Sequence, residues 1–242
     1  MKDMERSGSS ISLPDWGRQE LRVPGRGARA GRIVALFAPV PVLLLLLVPT
    51  GWPVLGIALI GGLYAVAVGV WITTQGRRAL SSLGARPARS GELARVENLI
   101  EGLSSDLGID APALFVIDEP GPNALVAKRS GHVIAVTSSL VSEFSRTELE
   151  AVLAHCLVRI ASRQVAAAQT GLALGRLGRG LGGTTGVADD VATASVTRYP
   201  PALASAIERC VPRSGTLAPL WFVAESPSHV AAERRSAALL DL

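Results

Sequence analysis

Residues 33–76 contain no charged side chain, and Pro49-Thr50-Gly51-Trp52-Pro53 is the turn-forming cluster within them. A helix needs about 20 apolar residues to cross a bilayer, so this run predicts a transmembrane helical hairpin with spans at about 33–48 and 54–74. Pro39 and Pro41 predict a kink in the first span. Beyond Arg77 the periods shorten. Leu93, Val96, Ile100, Leu103 and Leu107 recur at three- and four-residue steps, which predicts an amphipathic helix stopped at Gly108. Residues 113–117 and 132–137 are apolar runs rich in β-branched side chains and bounded by Pro, Gly, Asp or Ser, so both predict strands, with a third at 122–127. Ser145-Arg146-Thr147-Glu148 is a capping box. Leu149, Val152, Leu153, Cys156, Leu157 and Ile160 are the apolar face of the helix it starts. Near 171–184 glycine is too frequent for a firm helix and arginine too frequent for a third span, which predicts a mobile linker. Its Gly-x-Gly-x-x-Gly-like spacing follows no strand and implies no phosphate site. Helices are predicted at 189–197 and 201–210, a strand at 220–223, and a closing helix from Val230. The element order predicts an α+β domain, mostly helical with a small sheet, behind a two-span hairpin.

The chain has 242 residues, 48% of them hydrophobic, and a formal net charge of +4. That is too apolar for a disordered protein. Arg18, Arg22, Arg26, Arg29 and Arg32 precede the uncharged run, and Arg77, Arg78, Arg86, Arg89 and Arg95 follow it, while the turn between the spans is neutral. The positive-inside rule therefore predicts a two-span protein of the cell membrane with both termini and the folded domain in the cytoplasm. Residues 1–32, rich in Gly, Ser and Arg, read as a disordered basic cytoplasmic arm. Beside a membrane, such an arm meets anionic lipid rather than nucleic acid, and no basic motif interleaved with aromatics argues for DNA or RNA. The division is thus arm 1–32, hairpin 33–76 and folded domain 77–242. Cys156 and Cys210 are too few for a disulfide framework and predict reduced thiols.

The series from Val96 to Ile160, helix, strand, Pro122-Asn123-Ala124, strand, capped helix, resembles the HtpX-like membrane zinc metallopeptidases, relatives of the CAAX prenyl proteases. Ala135-Val136-Thr137-Ser138 and Glu148-Leu149-Glu150-Ala151-Val152-Leu153-Ala154-His155 match the family's usual run. Ala188-Asp189 with Ala192 resembles the Ala-Asp-x-x-Ala segment of its second metal helix, and His229, Arg235 and Leu239 resemble its C-terminal His…Arg…Leu ending. The resemblance implies a zincin-like peptidase fold and a peptide laid as an added strand along the edge at Asn123 and Ala124. It also implies Asp189 as the carboxylate that steadies the first histidine.

The departures from the family decide the chemistry. Its zinc motif is His-Glu-x-x-His, two metal-holding histidines one turn apart and a glutamate that activates water. Here it reads His155-Cys156-Leu157-Val158-Arg159. Cys156 stands at the general-base position, Arg159 replaces the second histidine, and Thr185 stands where the third ligand, a glutamate, is expected. His155 alone survives. A guanidinium cannot ligate and repels Zn²⁺, so no cofactor is expected. A site rebuilt from His155, Cys156, Cys210, His132 or His229 matches no metal-ligand spacing, and Cys156, on the apolar face, points away from His155. These features predict a membrane-anchored pseudopeptidase, a peptidase fold without hydrolysis that serves as a binding or regulatory module for a peptide or membrane-protein partner. The alternatives are an active zinc metalloendopeptidase with an atypical metal site, and a structural subunit paired with an intact paralogue. Arg159 is expected to replace the lost cation, paired with Asp189 or Asp190, with His155 hydrogen-bonded to one of them.

Overall fold

The computed structural model describes residues 54–174, 186–225 and 230–242, with side chains from Leu59 onward except at Leu174. The arm 1–32, the first span, the turn at 49–53, residues 175–185 and His229 lie outside the described residues. The predicted second span falls in a helix, α1 (Val54–Ser82), whose Leu59–Ser82 stretch is long and apolar enough to cross a membrane. The helix does not stop at residue 76. Ala79 and Leu80 are buried against the folded domain, so the last turns of α1 belong to that domain's core.

Behind α1 come β1 (Arg86–Pro87), α2 (Ala94–Leu107), β2 (Ala113–Ile117), β3 (Ala124–Lys128), β4 (His132–Thr137), α3 (Ser138–Glu143) and α4 (Arg146–Ala161). They are followed by α5 (Gln164–Leu174), α6 (Val187–Thr197), α7 (Pro200–Arg209), a 3₁₀ turn at Ala218–Leu220 and α8 (Ala232–Leu240). The architecture is mostly helical with one small mixed sheet, in the order β1-β2-β4-β3. β2 and β4 are parallel, and β1 and β3 are antiparallel to their neighbours.

Both faces of the sheet are covered, which explains why its strands read as continuous apolar runs. Val116, Val126, Ile134 and Val136 pack against α2 and α4. Phe115, Ile117, Leu125, Ala127, Val133 and Ala135 pack on the other face against Leu220, Trp221, Ala168 of α5 and the foot of α1. The predicted strand at 220–223 is instead a 3₁₀ turn followed by a single bridge, Trp221 to Leu125. Its apolar character comes from burial on the second face, not from a ladder. Residues 171–174, expected as linker, complete the last turn of α5, where Leu172 packs on that same face.

α4 starts as predicted. Ser145 Oγ accepts from the Glu148 amide, and the Glu148 carboxylate accepts from the Ser145 amide. Glu148 also takes hydrogen bonds from Ser205 and Arg209 of α7. Burial raises its pKa, but the bonds from Arg209, Ser205 and Ser145 win and hold it at about 2. The capping residue thereby ties α7 to the start of α4.

Candidate site around His155

α4 is buried along most of its length, and His155 and Arg159, one turn apart, are both inside. His155 Nδ1 lies 3.2 Å from Asp190 Oδ1 and 3.4 Å from Thr193 Oγ1, both on α6. Its ring meets Phe222 edge-on at 4.9 Å between centroids. Burial lowers the His155 pKa by more than Asp190 raises it, so the ring is neutral. With Nδ1–H donating to Asp190, Nε2 carries a lone pair, and that buried atom has no partner among the described residues.

Asp190 is held in turn by Arg235 of α8, Nε to Oδ2 at 2.7 Å and Nη2 to Oδ1 at 2.8 Å. Burial works against its charge, but the Arg235 guanidinium and then His155 hold the carboxyl well below the usual range. Arg235 also donates to the Phe222 carbonyl at 2.9 Å. The carboxylate that touches His155 is thus Asp190 and not Asp189, the position taken from the resemblance. Asp189 accepts from Gln164 through Oδ1, and its Oδ2 has no partner among the described residues. Counted from Asp190 instead of Asp189, the position four residues earlier is Gly186 and not Thr185, and glycine has no side chain to offer.

Arg159 does not make the expected ion pair. Its guanidinium, 1% exposed, donates from Nη2 to the Pro219 carbonyl at 2.6 Å and from Nη1 to the carbonyls of Leu220 at 3.3 Å and Trp221 at 3.2 Å. Asp190 already has a bidentate partner in Arg235, and three carbonyls occupy the two terminal nitrogens of Arg159, while its buried Nε has no partner among the described residues. Cys156 faces the core, and burial pushes its thiol up to about 12. A thiol held so firmly protonated is neither a base nor a nucleophile at neutral pH.

Asn123 and Ala124 do not face an open edge. Asn123 is fully buried and uses its whole amide: Nδ2 donates to the carbonyls of Val211 and Val223, both at 2.8 Å, while Oδ1 accepts from the amides of Ala124 at 2.8 Å and Val223 at 3.3 Å. The Phe222 amide donates to the Ala124 carbonyl at 2.8 Å. The chain's own segment 219–224 lies where an added strand would pair, and Arg159 pins its start.

Residues 90–177, which carry β2 to β4 and the His155–Arg159 helix, match the model of Peptidase family M48. This segment belongs to peptidase family M48. Proteins described as protease HtpX homologues are similar to it: one from Halobacterium salinarum at 37% identity over 119 residues, covering 49% of this chain and 40% of that protein. Another, from Dictyoglomus turgidum, is 35% identical over 88 residues, 36% of this chain and 29% of that protein. A third, from Tropheryma whipplei, is 37% identical over 82 residues, 33% of this chain and 28% of that protein. The chain thus matches well under half the length of these relatives.

An M48 fold implies a catalytic zinc held by histidines and an acid. His155 meets that need, because a carboxylate on Nδ1 that leaves Nε2 free is the arrangement of a zinc-bound histidine. The other positions do not fit. The residue one turn on is a buried cation aimed at carbonyls, and among the described residues no group of three His, Cys, Asp or Glu side chains comes together to hold a metal. Asp190 was named from the sequence only as the alternative to Asp189, and Thr193 and Gln164 were not assigned to this site. Arg235 was named only as part of a terminal motif, although a buried arginine requires an acid nearby.

Proposed function

We propose that the chain is a membrane-anchored M48-family protein that has lost zinc and hydrolysis and acts as a binding or regulatory module for a peptide or membrane-protein partner. Two spans with both termini and the M48 domain in the cytoplasm complete the reading, supported by the uncharged run 33–76 and its arginine-rich flanks. The observation that carries the loss of catalysis is Arg159. At the second-histidine position it places a buried positive charge one turn from His155 and commits both terminal nitrogens to the backbone of 219–221. A dication beside it would meet repulsion and lack ligands. With Cys156 at the general-base position, water activation is lost as well. A base alone is worth about 10²–10⁴-fold.

A peptide would reach the β3 edge only by displacing segment 219–224, so partners are expected on other surfaces unless that segment opens. The test is proteolysis of casein by detergent-purified full chain. No cleavage is expected, with or without added zinc. Cleavage abolished by a chelator and restored by zinc would establish an active endopeptidase with an atypical metal site.

A further inference from the structure

The polar end of α1 does not hang free below the M48 domain. Apolar side chains are exposed along α1 from Leu59 to Trp71, the helix turns polar at Thr73, and Ala79 and Leu80 are already buried in the domain. Only the few residues between Trp71 and Ala79 separate lipid-facing helix from domain core, about 12 Å at 1.5 Å per residue. Gly76 lies in this interval against the end of β3. A Cβ there would collide with the Lys128 carbonyl and the Gln169 side-chain amide. Gln169 Nε2 donates to that same carbonyl at 2.9 Å. α5 then runs antiparallel to α1, because Gln169 lies level with Gly76 and the Ala173 carbonyl accepts from Trp71 Nε1 at 3.2 Å. α5 therefore descends toward the depth at which the exposed apolar surface begins.

The β3–β4 turn, Lys128-Arg129-Ser130-Gly131, is fixed at this level and exposed, as are Arg77 and Arg78. The Arg78 guanidinium lies 4.0 Å from the Trp71 ring centroid, an arginine–tryptophan pair suited to a membrane interface. Neither α1 nor the stretch 123–137 contains an Asp or Glu. Four exposed cations with no acid on their own elements thus surround the foot of a lipid-facing helix.

We infer that Arg77, Arg78, Lys128 and Arg129 form a surface that seats the M48 domain directly on anionic phospholipid headgroups, with the β3–β4 turn as its outer contact. This inference rests on the reading of α1 as a membrane span. Exposed cations at a bilayer surface gain attraction from anionic lipid and lose it to salt. Seating by two helices and a turn fixes how the domain faces the membrane, where a flexible tether would not.

The experiment uses the full chain with Ser130→Cys carrying a fluorescent label, since Cys156 and Cys210 are buried. It is reconstituted in phosphatidylcholine vesicles with and without phosphatidylglycerol. With phosphatidylglycerol, headgroup-attached nitroxide lipid should quench the label strongly and aqueous acrylamide weakly. High salt, or Lys128→Ser with Arg129→Ser, should reduce headgroup quenching several-fold while thermal unfolding stays unchanged. Strong acrylamide quenching without headgroup quenching, in protein that resists alkaline extraction, would overturn the seating and leave the span intact. Headgroup quenching indifferent to phosphatidylglycerol, salt and the double substitution would overturn recognition by charge. Release of the protein by alkali would overturn the span, and the inference with it.

Discussion

Arg159 holds three carbonyls that have no equivalent donor elsewhere in the site. Arg159→Met keeps the apolar stem and removes the fork, so carbonyls of 219–221 are left buried and unpaired at about 1–3 kcal/mol for each group. A fall in melting temperature of several degrees is expected. Asp190 and Asp189 separate just as clearly. Asp190→Asn leaves Arg235 without its charge partner and should cost about 3–5 kcal/mol, whereas Asp189→Asn, which breaks only the Gln164 contact, should cost less; chemical denaturation of the two variants checks the order. The buried neutral His155 also predicts a pH dependence. Its folded pKa lies below the unfolded value near 6.5, so the unfolded chain binds the extra proton and stability falls as pH drops below about 6.5. His155→Phe should flatten that slope in melting curves between pH 7.5 and 5.5. The identities at 155, 156 and 159 were legible because they sit in a matched, capped helix. Of the two aspartates expected near His155, the resemblance implied Asp189 where the contact is made by Asp190, and on a helix one position turns a side chain by about 100°, enough to exchange the His155 contact for the Gln164 contact. The offset is itself testable: with Cys156→Glu and Arg159→His in place, Gly186→Glu should restore more zinc binding than Thr185→Glu.

At the scale of elements, segment 219–224 closes the β3 edge through Asn123, Arg159, Arg235 and the Phe222 amide. If Arg159 pins this segment, hydrogen exchange at the Phe222 amide should quicken in Arg159→Met while amides within β4 keep their protection. Equal loss across the sheet would instead mean global unfolding. β2 and β4 were readable to the residue, since β-branched runs with both faces buried leave a strong signal. β1, two residues long, carries no period to read. Residues 220–223 imitate a strand because Trp221, Phe222 and Val223 are all buried, although only one bridge forms there. α5 forms despite Gly171 because α1 and the second face of the sheet supply the packing that local propensity lacks.

At the scale of the molecule, α1 joins a stretch long and apolar enough to cross a membrane to the folded domain, since its foot completes the second core layer. Its passage from exposed apolar surface to buried core was not visible in composition, because Ala79 and Leu80 follow two arginines and read as a new segment. The arginine-rich flanks predict that a cysteine at exposed Ser105 stays unlabelled by an impermeant reagent added to intact cells, while one at Thr50 is labelled. The central claim is that an M48 fold persists here with its metal centre dismantled around His155 and Arg159. Metal analysis of detergent-purified full chain tests it most directly: zinc should stay far below one per chain, even after incubation with excess metal and desalting, and one tightly held zinc per chain would contradict the account.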